Sequence, residues 1–284
     1  PGGWGNDRSD NTLNGVYFGE LSTALAAKGY RVYGREADYM AASVDYVTKS
    51  YQLGTFIRSA LDRRRDIGAA IGDINARCPR ASVVLAAYSQ GGIALRAALP
   101  FVPSSAINRV VAVDLFADAS ANARQDAGMP TGRTRRSYVW RRRTFGLYSV
   151  GQAARDAEIR AQLGPGGAAA VRLFAGGPKA SNPYLISLAA YPATLRPRVD
   201  QYCHDEDPVC DPTAFAQHWV GRWGYIPFGG SGAPASYAAW KVGLHSAYPW
   251  RYAAADTGDG FAAVPRSAAA PAPAAPAPTS APAS

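Results

Sequence analysis

Residues 83–92 of the chain read VVLAAYSQGG, and this stretch decides the fold class. A short apolar run rich in β-branched residues ends at Ser89, two glycines follow, and residues 93–99 (IALRAAL) have the composition of a helix. The order is that of a buried strand, a sharp turn and a helix, with a serine at the turn. Such a turn is crowded, and the small residues that it needs on either side are Ala87 and Gly91. We therefore interpret Ser89 as a candidate nucleophile at the carboxyl end of a strand.

Helical and strand-like segments alternate on both sides of this turn. Residues 51–76 carry apolar side chains at helical spacing and predict the longest helix of the chain, which ends at Cys78. Residues 109–116 (RVVAVDLF) predict a second buried strand, and residues 198–203 predict a last short one. Because helices and strands alternate, we expect a three-layer α/β fold with a mostly parallel central sheet.

The composition of the chain sets the expected domain boundaries. Ahead of the long helix, apolar spacing predicts a helix over residues 15–28, and residues 30–33 begin a short strand or an extended segment. From residue 262 onward the chain is almost entirely Ala, Pro and Ser, which cannot bury enough apolar surface to offset the entropy of ordering. We expect one domain over residues 1–262 and a disordered tail over residues 263–284.

The overall composition is that of a globular protein without a membrane span. Hydrophobic residues make up 48% of the 284 residues and charged residues 18%, and no apolar run approaches the roughly 18 residues that a span needs. The formal charge is +9, but the arginines are spread along the chain without a nucleic-acid-binding motif, so we expect no nucleic-acid partner. A basic stretch over residues 133–143 is interpreted either as part of a lid that approaches lipid or polymer, or as an ordinary solvated insertion.

The three cysteines indicate the compartment. Cys203 and Cys210 flank an acidic loop at a spacing that suits a disulfide, whereas Cys78 has no obvious partner. A pair plus an odd cysteine fits an extracellular protein whose fourth cysteine lies outside this chain, and three reduced cysteines in the cytosol are the alternative. Since no C-x-x-C pair or second ligand cluster accompanies them, we expect no metal and no cofactor.

A serine nucleophile needs a base, and the chain has only three histidines. In α/β hydrolases the chain order is serine, acid, histidine. This order favours His245, which lies in a loop near the end of the folded part, over His218 in a predicted helix. His204 lies inside the presumed disulfide loop, where the acid is expected.

Four acidic residues of that loop could orient the base. They are Asp205, Glu206, Asp207 and Asp211. A disulfide would hold the loop rigid, as an orienting carboxylate requires, but spacing alone does not choose among the four.

Three motifs together resemble the cutinase family of serine esterases. Residues 78–91 pair a Cys-Pro with a Tyr-Ser-Gln-Gly turn, residues 203–210 read CHDEDPVC, and residues 245–248 read HSAY. The resemblance covers roughly residues 14–118 and 183–250. It implies a secreted hydrolase with a single α/β-hydrolase-like domain.

The resemblance also implies roles for particular residues. The aspartate three positions before the second cysteine of the loop is the family's triad acid, which is Asp207 here. Ser89 and His245 take the other triad positions, and the backbone N–H of Gln90 supplies half of the oxyanion hole. The expected activity is hydrolysis of carboxylic esters: a cutin-like polyester, a lipid or a small acyl ester. An acyltransferase or phospholipase with the same triad, and a non-catalytic cell-surface binding protein, are the alternatives.

The chain also departs from the family pattern. Ala87 stands where glycine is usual, the distance from Asp207 to His245 is longer, and about residues 119–181 form an insertion. Members begin with a strand whose Arg-Gly-Ser-like turn supplies an oxyanion donor and whose preceding cysteine bridges to the equivalent of Cys78. This chain starts after that point, so we expect an N-terminally truncated protein without its first strand. We further expect a monomer that is secreted, with peripheral contact to a lipid or polymer surface.

Overall fold

The computed structural model describes residues 13–37, 53–122, 125–126, 145–164, 166–177, 185–204 and 206–223, with Ala254 and Thr257; for residues 13–15 and 218–223 it describes the backbone alone. The sheet of this part of the chain has three strands: β1 (Val83–Tyr88), β2 (Val110–Phe116) and β3 (Val199–Tyr202). The described helices are α1 (Leu13–Ala26), α2 (Leu53–Leu61), α3 (Arg64–Arg77), α4 (Gln90–Ala98), α5 (Ser104–Ile107), α6 (Leu147–Ala153), α7 (Ala157–Gln162), α8 (Gly167–Ala175) and α9 (Pro212–Trp223), with 3₁₀ turns at Leu99–Phe101 and Arg196–Arg198.

The three strands run parallel in the order β1-β2-β3. Tyr88 is level with Phe116, and Phe116 with Tyr202, so the strands end at one common edge. In open α/β sheets this carboxyl edge is where ligand sites form. The strands predicted over residues 109–116 and 198–203 are confirmed, and the parallel α/β fold class is confirmed with them.

Alternation along β1 divides the core into two layers. Val83, Leu85 and Ala87 belong to the larger core, which they share with residues of α2, α3, α4, α6 and α8. Tyr88 belongs to the smaller core with α1 residues Tyr17, Leu21 and Leu25, and the partly buried Val84 and Ala86 pack against it. Since successive side chains of a strand point to opposite faces, α1 covers one face of the sheet and the other helices cover the opposite face.

The prediction of one helix over residues 51–76 is wrong in one respect, because this segment forms two helices. α2 ends at Leu61, and α3 begins at Arg64 after Arg63, whose φ of −106° and ψ of 13° are not helical. Leu61 and Ile67 are six residues apart, which is roughly 240° around a continuous helix. The break allows both side chains to be buried in the same core, at 5% and 7% exposure.

The insertion predicted at about residues 119–181 is not peripheral where it is described. Leu147, Val150 and Phe174 have no exposed surface and belong to the larger core. The amide of Leu147 donates to the carbonyl of Val209 at 2.9 Å, which joins α6 to the loop after β3. The basic stretch on which the lid hypothesis depends, residues 133–143, lies outside the described residues.

Two further predictions concern residues 30–33 and residues 263–284. Of the short strand or extended segment expected from residue 30, the strand is not found, because residues 30–37 lie in no strand and Tyr33 is 86% exposed. The tail predicted over residues 263–284 lies outside the described residues.

Candidate active site

Ser89 lies in a turn that its own side chain makes unfavourable. It joins β1 to α4 with φ 55° and ψ −119°, a region that residues other than glycine seldom occupy. Its amide donates to the carbonyl of Phe116 at 2.7 Å, and its carbonyl accepts from the amides of Gly92 at 3.1 Å and Ala119 at 3.3 Å. These bonds hold the backbone in a conformation that costs energy. The residue is fully buried at the carboxyl edge of the sheet.

Gln90 fixes the start of the helix that follows. It is the first residue of α4, where backbone N–H groups have no intrahelical acceptor and the helix dipole favours negative charge. Its side-chain Nε2 donates to the carbonyl of Phe56 and, at 2.7 Å, to the hydroxyl of Ser59. Both partners belong to α2, so the first turn of α4 is anchored to a neighbouring helix.

The disulfide loop lies beside this turn at the same edge. Cys203 and Cys210 form a disulfide immediately after β3. The amide of Ala117 donates to the carbonyl of Tyr202 at 2.7 Å, just as the amide of Ser89 donates to Phe116. Backbone hydrogen bonds therefore continue across the sheet from the serine turn to Tyr202, the last residue before the loop.

Asp207 is buried within this loop, and amides of the loop hold its carboxylate. It is 2% exposed, and its Oδ1 accepts from the amides of Val209 at 2.7 Å and Cys210 at 3.1 Å. Burial raises the pKa of Tyr88 far above its usual range, and the negative charge on Asp207 raises it further. Tyr88 is the last residue of β1 and directly precedes Ser89, so Asp207 interacts electrostatically with the end of this strand.

The other acids of the loop have different surroundings. Asp211 lies directly before α9, and its Oδ2 accepts the amide of Glu206 at 3.2 Å, a contact within the loop. Glu206 is only half-buried, and Asp205 lies outside the described residues.

The three histidines of the chain are described to different extents. His245 lies outside the described residues. His218 lies in α9, where only the backbone is described. His204 is half-buried, and its carbonyl accepts the amide of Asp207 at 3.1 Å. The choice of base therefore stays a prediction.

Two buried charged residues near the serine turn were missed by the sequence reasoning. Arg96, on α4, has no exposed surface, and Asp118 follows β2 with 2% exposure. Burial raises the pKa of Asp118 to about 6, although hydrogen bonds from Ser120 and the charge of Arg96 oppose the shift. An arginine inside an apolar helix and an aspartate just after a buried strand were the available signals.

Within the described ranges, no group of three His, Cys, Asp or Glu residues is arranged to hold a metal ion. None of the helices found there is both long enough and apolar enough to cross a membrane.

The fold and the serine turn together define the class. A serine at positive φ between a parallel strand and a helix, on a sheet covered on both faces, is the arrangement of the α/β hydrolases. The family model for cutinase matches residues 11–238, and the chain belongs to the cutinase family. It is accordingly a carboxylic ester hydrolase, as the motif resemblance predicted.

Several solved structures are similar at low identity. An acetylxylan esterase is 17% identical with a TM-score of 0.40, covering 86% of this chain and 88% of its own. A cutinase-like protein from Cryptococcus sp. is 15% identical with a TM-score of 0.42, covering 90% and 91%. A Trichoderma reesei cutinase in complex with a phosphonate inhibitor is 18% identical with a TM-score of 0.34, covering 81% and 66%. These likenesses are too remote to assign residue roles, and no curated protein matches the chain.

Proposed function

We propose that the protein is a secreted serine esterase in which Ser89 forms the acyl-enzyme. The observation that carries the proposal is the backbone of Ser89, held at φ 55° at the carboxyl edge of the sheet. Strain of this kind persists only where surrounding structure enforces it, and it concentrates at functional sites. The fully buried residue adopts it between a strand and a helix, as a nucleophile turn requires.

The proposed reaction divides hydrolysis into two acyl transfers. The hydroxyl of Ser89 attacks the ester carbonyl while His245 takes its proton, and His245 then protonates the departing alcohol. Water releases the acid from the acyl-enzyme by the same steps. Asp207 orients the imidazole, and the two amides that bind its Oδ1 fix its carboxylate. The N–H of Gln90 stabilises the oxyanion, and such a donor contributes about 10²–10³ to the rate.

The first experiment compares p-nitrophenyl butyrate hydrolysis by the full-length protein and its Ser89→Ala variant. We expect the variant to lose about 10⁴-fold or more in kcat. Ser104→Ala is the matched control, because Ser104 is an exposed serine at the start of α5. Equal rates for wild type and Ser89→Ala would overturn the proposal.

A second experiment assigns the acid and the base. We expect His245→Ala and Asp207→Asn to reduce kcat by at least about 10³-fold. His218→Ala and Asp211→Asn are their controls and should keep near-wild-type kcat. Asparagine at position 211 still offers an oxygen to the amide of Glu206. If His218→Ala lowered kcat and His245→Ala did not, His218 would be the base. If Asp211→Asn lowered kcat and Asp207→Asn did not, Asp211 would be the acid.

The substrate range and the domain limits belong to the same proposal. Cutin-like polyester, lipid esters and small acyl esters are distinguished by comparing polymer films, triglyceride emulsions and p-nitrophenyl esters of increasing chain length. We further propose one monomeric domain over residues 1–262, so that removal of residues 263–284 leaves kcat and the melting temperature unchanged. A truncated protein that is inactive or aggregated would contradict this boundary.

A further inference from the structure

A buried polar cluster joins the helix after Ser89 to the strand that leads into the disulfide loop. Its charged members are Arg96, Asp118 and Asp126, each at most 2% exposed. Gln201 of β3 completes it and is half-buried. None of these residues has a role in the acyl transfers described above.

Arg96 attaches the serine helix to two other segments. Its guanidinium donates to the carbonyl of Ser120, to Gln125 and to Asp126, each at 2.9 Å. Its Nε donates to the carbonyl of Ala189 at 2.9 Å. An arginine that uses this many donors inside the protein fixes the helix in both position and rotation.

Asp118 lies directly against the serine turn. Its Oδ1 accepts from the amide and the hydroxyl of Ser120, both at 2.7 Å. Its neighbour Ala119 donates to the carbonyl of Ser89 at 3.3 Å. A Cβ on Gly92 would lie 2.8 Å from its Cγ, so the carboxylate fills the space beside the first turn of α4.

Gln201 connects this carboxylate to the acid loop. Its Nε2 lies 3.4 Å from Oδ2 of Asp118 and 3.2 Å from Oδ2 of Asp126. Gln201 is two residues before Cys203 and six before Asp207 along the chain. One side-chain amide therefore links the segment beside Ser89 to the strand that carries the proposed triad acid.

The buried charges of the cluster indicate a role other than stabilising the fold alone. Among the described residues it holds one cation and two carboxylates, and apolar residues of similar volume often stabilise a core at least as well as buried ions do. We propose that Asp118 and Gln201 are positioning residues that set the serine turn and the acid loop in their catalytic arrangement. This inference rests on the proposed function of Ser89 and Asp207.

The test uses Asp118→Asn, Gln201→Met and the double variant of the full-length protein at pH 8. The readouts are kcat and KM on p-nitrophenyl butyrate, the rate at which a fluorophosphonate inactivates the enzyme, and the melting temperature. We expect each single variant to lose about 10-fold or more in kcat and in inactivation rate, with KM within about two-fold. The double variant should lose less than the two single losses combined, because both single changes remove the same contact between Asp118 and Gln201.

Matched controls are Asp73→Asn, an exposed aspartate of α3, and Gln152→Met, a half-buried glutamine of α6. Both should match the wild type. Asp118→Asn and Gln201→Met enzymes with wild-type kcat and inactivation rate would overturn the inference while Ser89 remains the nucleophile. A rise in KM alone, additive losses in the double variant, or a kcat loss that only follows the unfolded fraction would overturn it as well. Failure of the proposed function gives a different result, because wild type and Ser89→Ala would then hydrolyse p-nitrophenyl butyrate at equal rates.

Discussion

Gly92 lies so close to Asp118 that a Cβ at this position would come within 2.8 Å of the Cγ of the carboxylate. The carboxylate cannot easily move away, because Ser120 holds its Oδ1 with two hydrogen bonds of 2.7 Å. The second glycine after Ser89 is therefore required by a residue that lies 26 positions further along the chain.

Gly92→Ala should consequently destabilise the protein. We expect a loss of about 1–3 kcal/mol in the free energy of unfolding, as for other overpacked positions, and a fall in kcat because the serine turn is displaced. Urea unfolding and p-nitrophenyl butyrate kinetics measure the two effects. Gly19→Ala in α1 is the control, since a Cβ there meets nothing within 4 Å and alanine favours a helix. A Gly92→Ala variant as stable and active as the control would contradict the crowding.

Asp118 also makes a prediction about pH. Burial raises its pKa from the usual 3.8 to about 6, so the folded state favours the protonated form. The stability that this group contributes is present below pH 4 and is lost as the pH rises toward 6. Across that interval the change amounts to about 3 kcal/mol.

The measurement is urea unfolding of wild type and Asp118→Asn from pH 4 to pH 7. The difference in unfolding free energy between the two should shift by about 2.4 kcal/mol over this range, with the wild type relatively less stable at pH 7. Other carboxylates titrate in both proteins and largely cancel in the difference. A difference that stays constant over this range would show that Asp118 titrates normally.

The strand-turn-helix at Ser89 could be predicted because it is encoded locally. The β-branched run, the serine and the glycines of residues 83–92 are consecutive, and no distant contact is needed to identify them. The disulfide loop could be predicted for the same reason. Its two cysteines are seven positions apart.

The polar cluster could not be predicted because its partners are distant in sequence. Arg96 binds the carbonyl of Ala189, 93 positions away, and Gln201 approaches Asp118 across 83 positions. The division of residues 51–76 into α2 and α3 likewise depends on which side chains the core accepts, which helical periodicity does not report.

The disulfide between Cys203 and Cys210 should matter for both stability and activity. Closing a loop of this length contributes about 2.5 kcal/mol in the chain-entropy model. Cys203→Ser with Cys210→Ser should lower the melting temperature and reduce kcat, because Asp207 accepts from amides within the loop. Dithiothreitol should act on the wild type in the same direction. Full activity of the double variant would mean that the loop holds Asp207 without the bridge.

A buried carboxylate on the other face of the sheet ties together three distant parts of the chain. Asp114 of β2 accepts through Oδ2 from the hydroxyl of Tyr17 in α1 and from that of Thr257 at 2.7 Å, across 97 and 143 positions. Burial and the charge on Asp114 raise the pKa of Tyr17 well above its usual value, so its hydroxyl remains a donor. Tyr17→Phe removes one donor from a buried carboxylate and should cost about 2 kcal/mol in unfolding free energy.

Tyr33→Phe is the matched control for this last change, because Tyr33 is 86% exposed and its hydroxyl should contribute nothing measurable. Thr257→Val removes the other donor and should cost a similar amount. Because both donors serve one carboxylate, the effects of Tyr17→Phe and Thr257→Val should not be additive in a double-mutant cycle. An unfolding midpoint for Tyr17→Phe equal to that of Tyr33→Phe would show that the hydroxyl of Tyr17 does not hold α1 on the sheet.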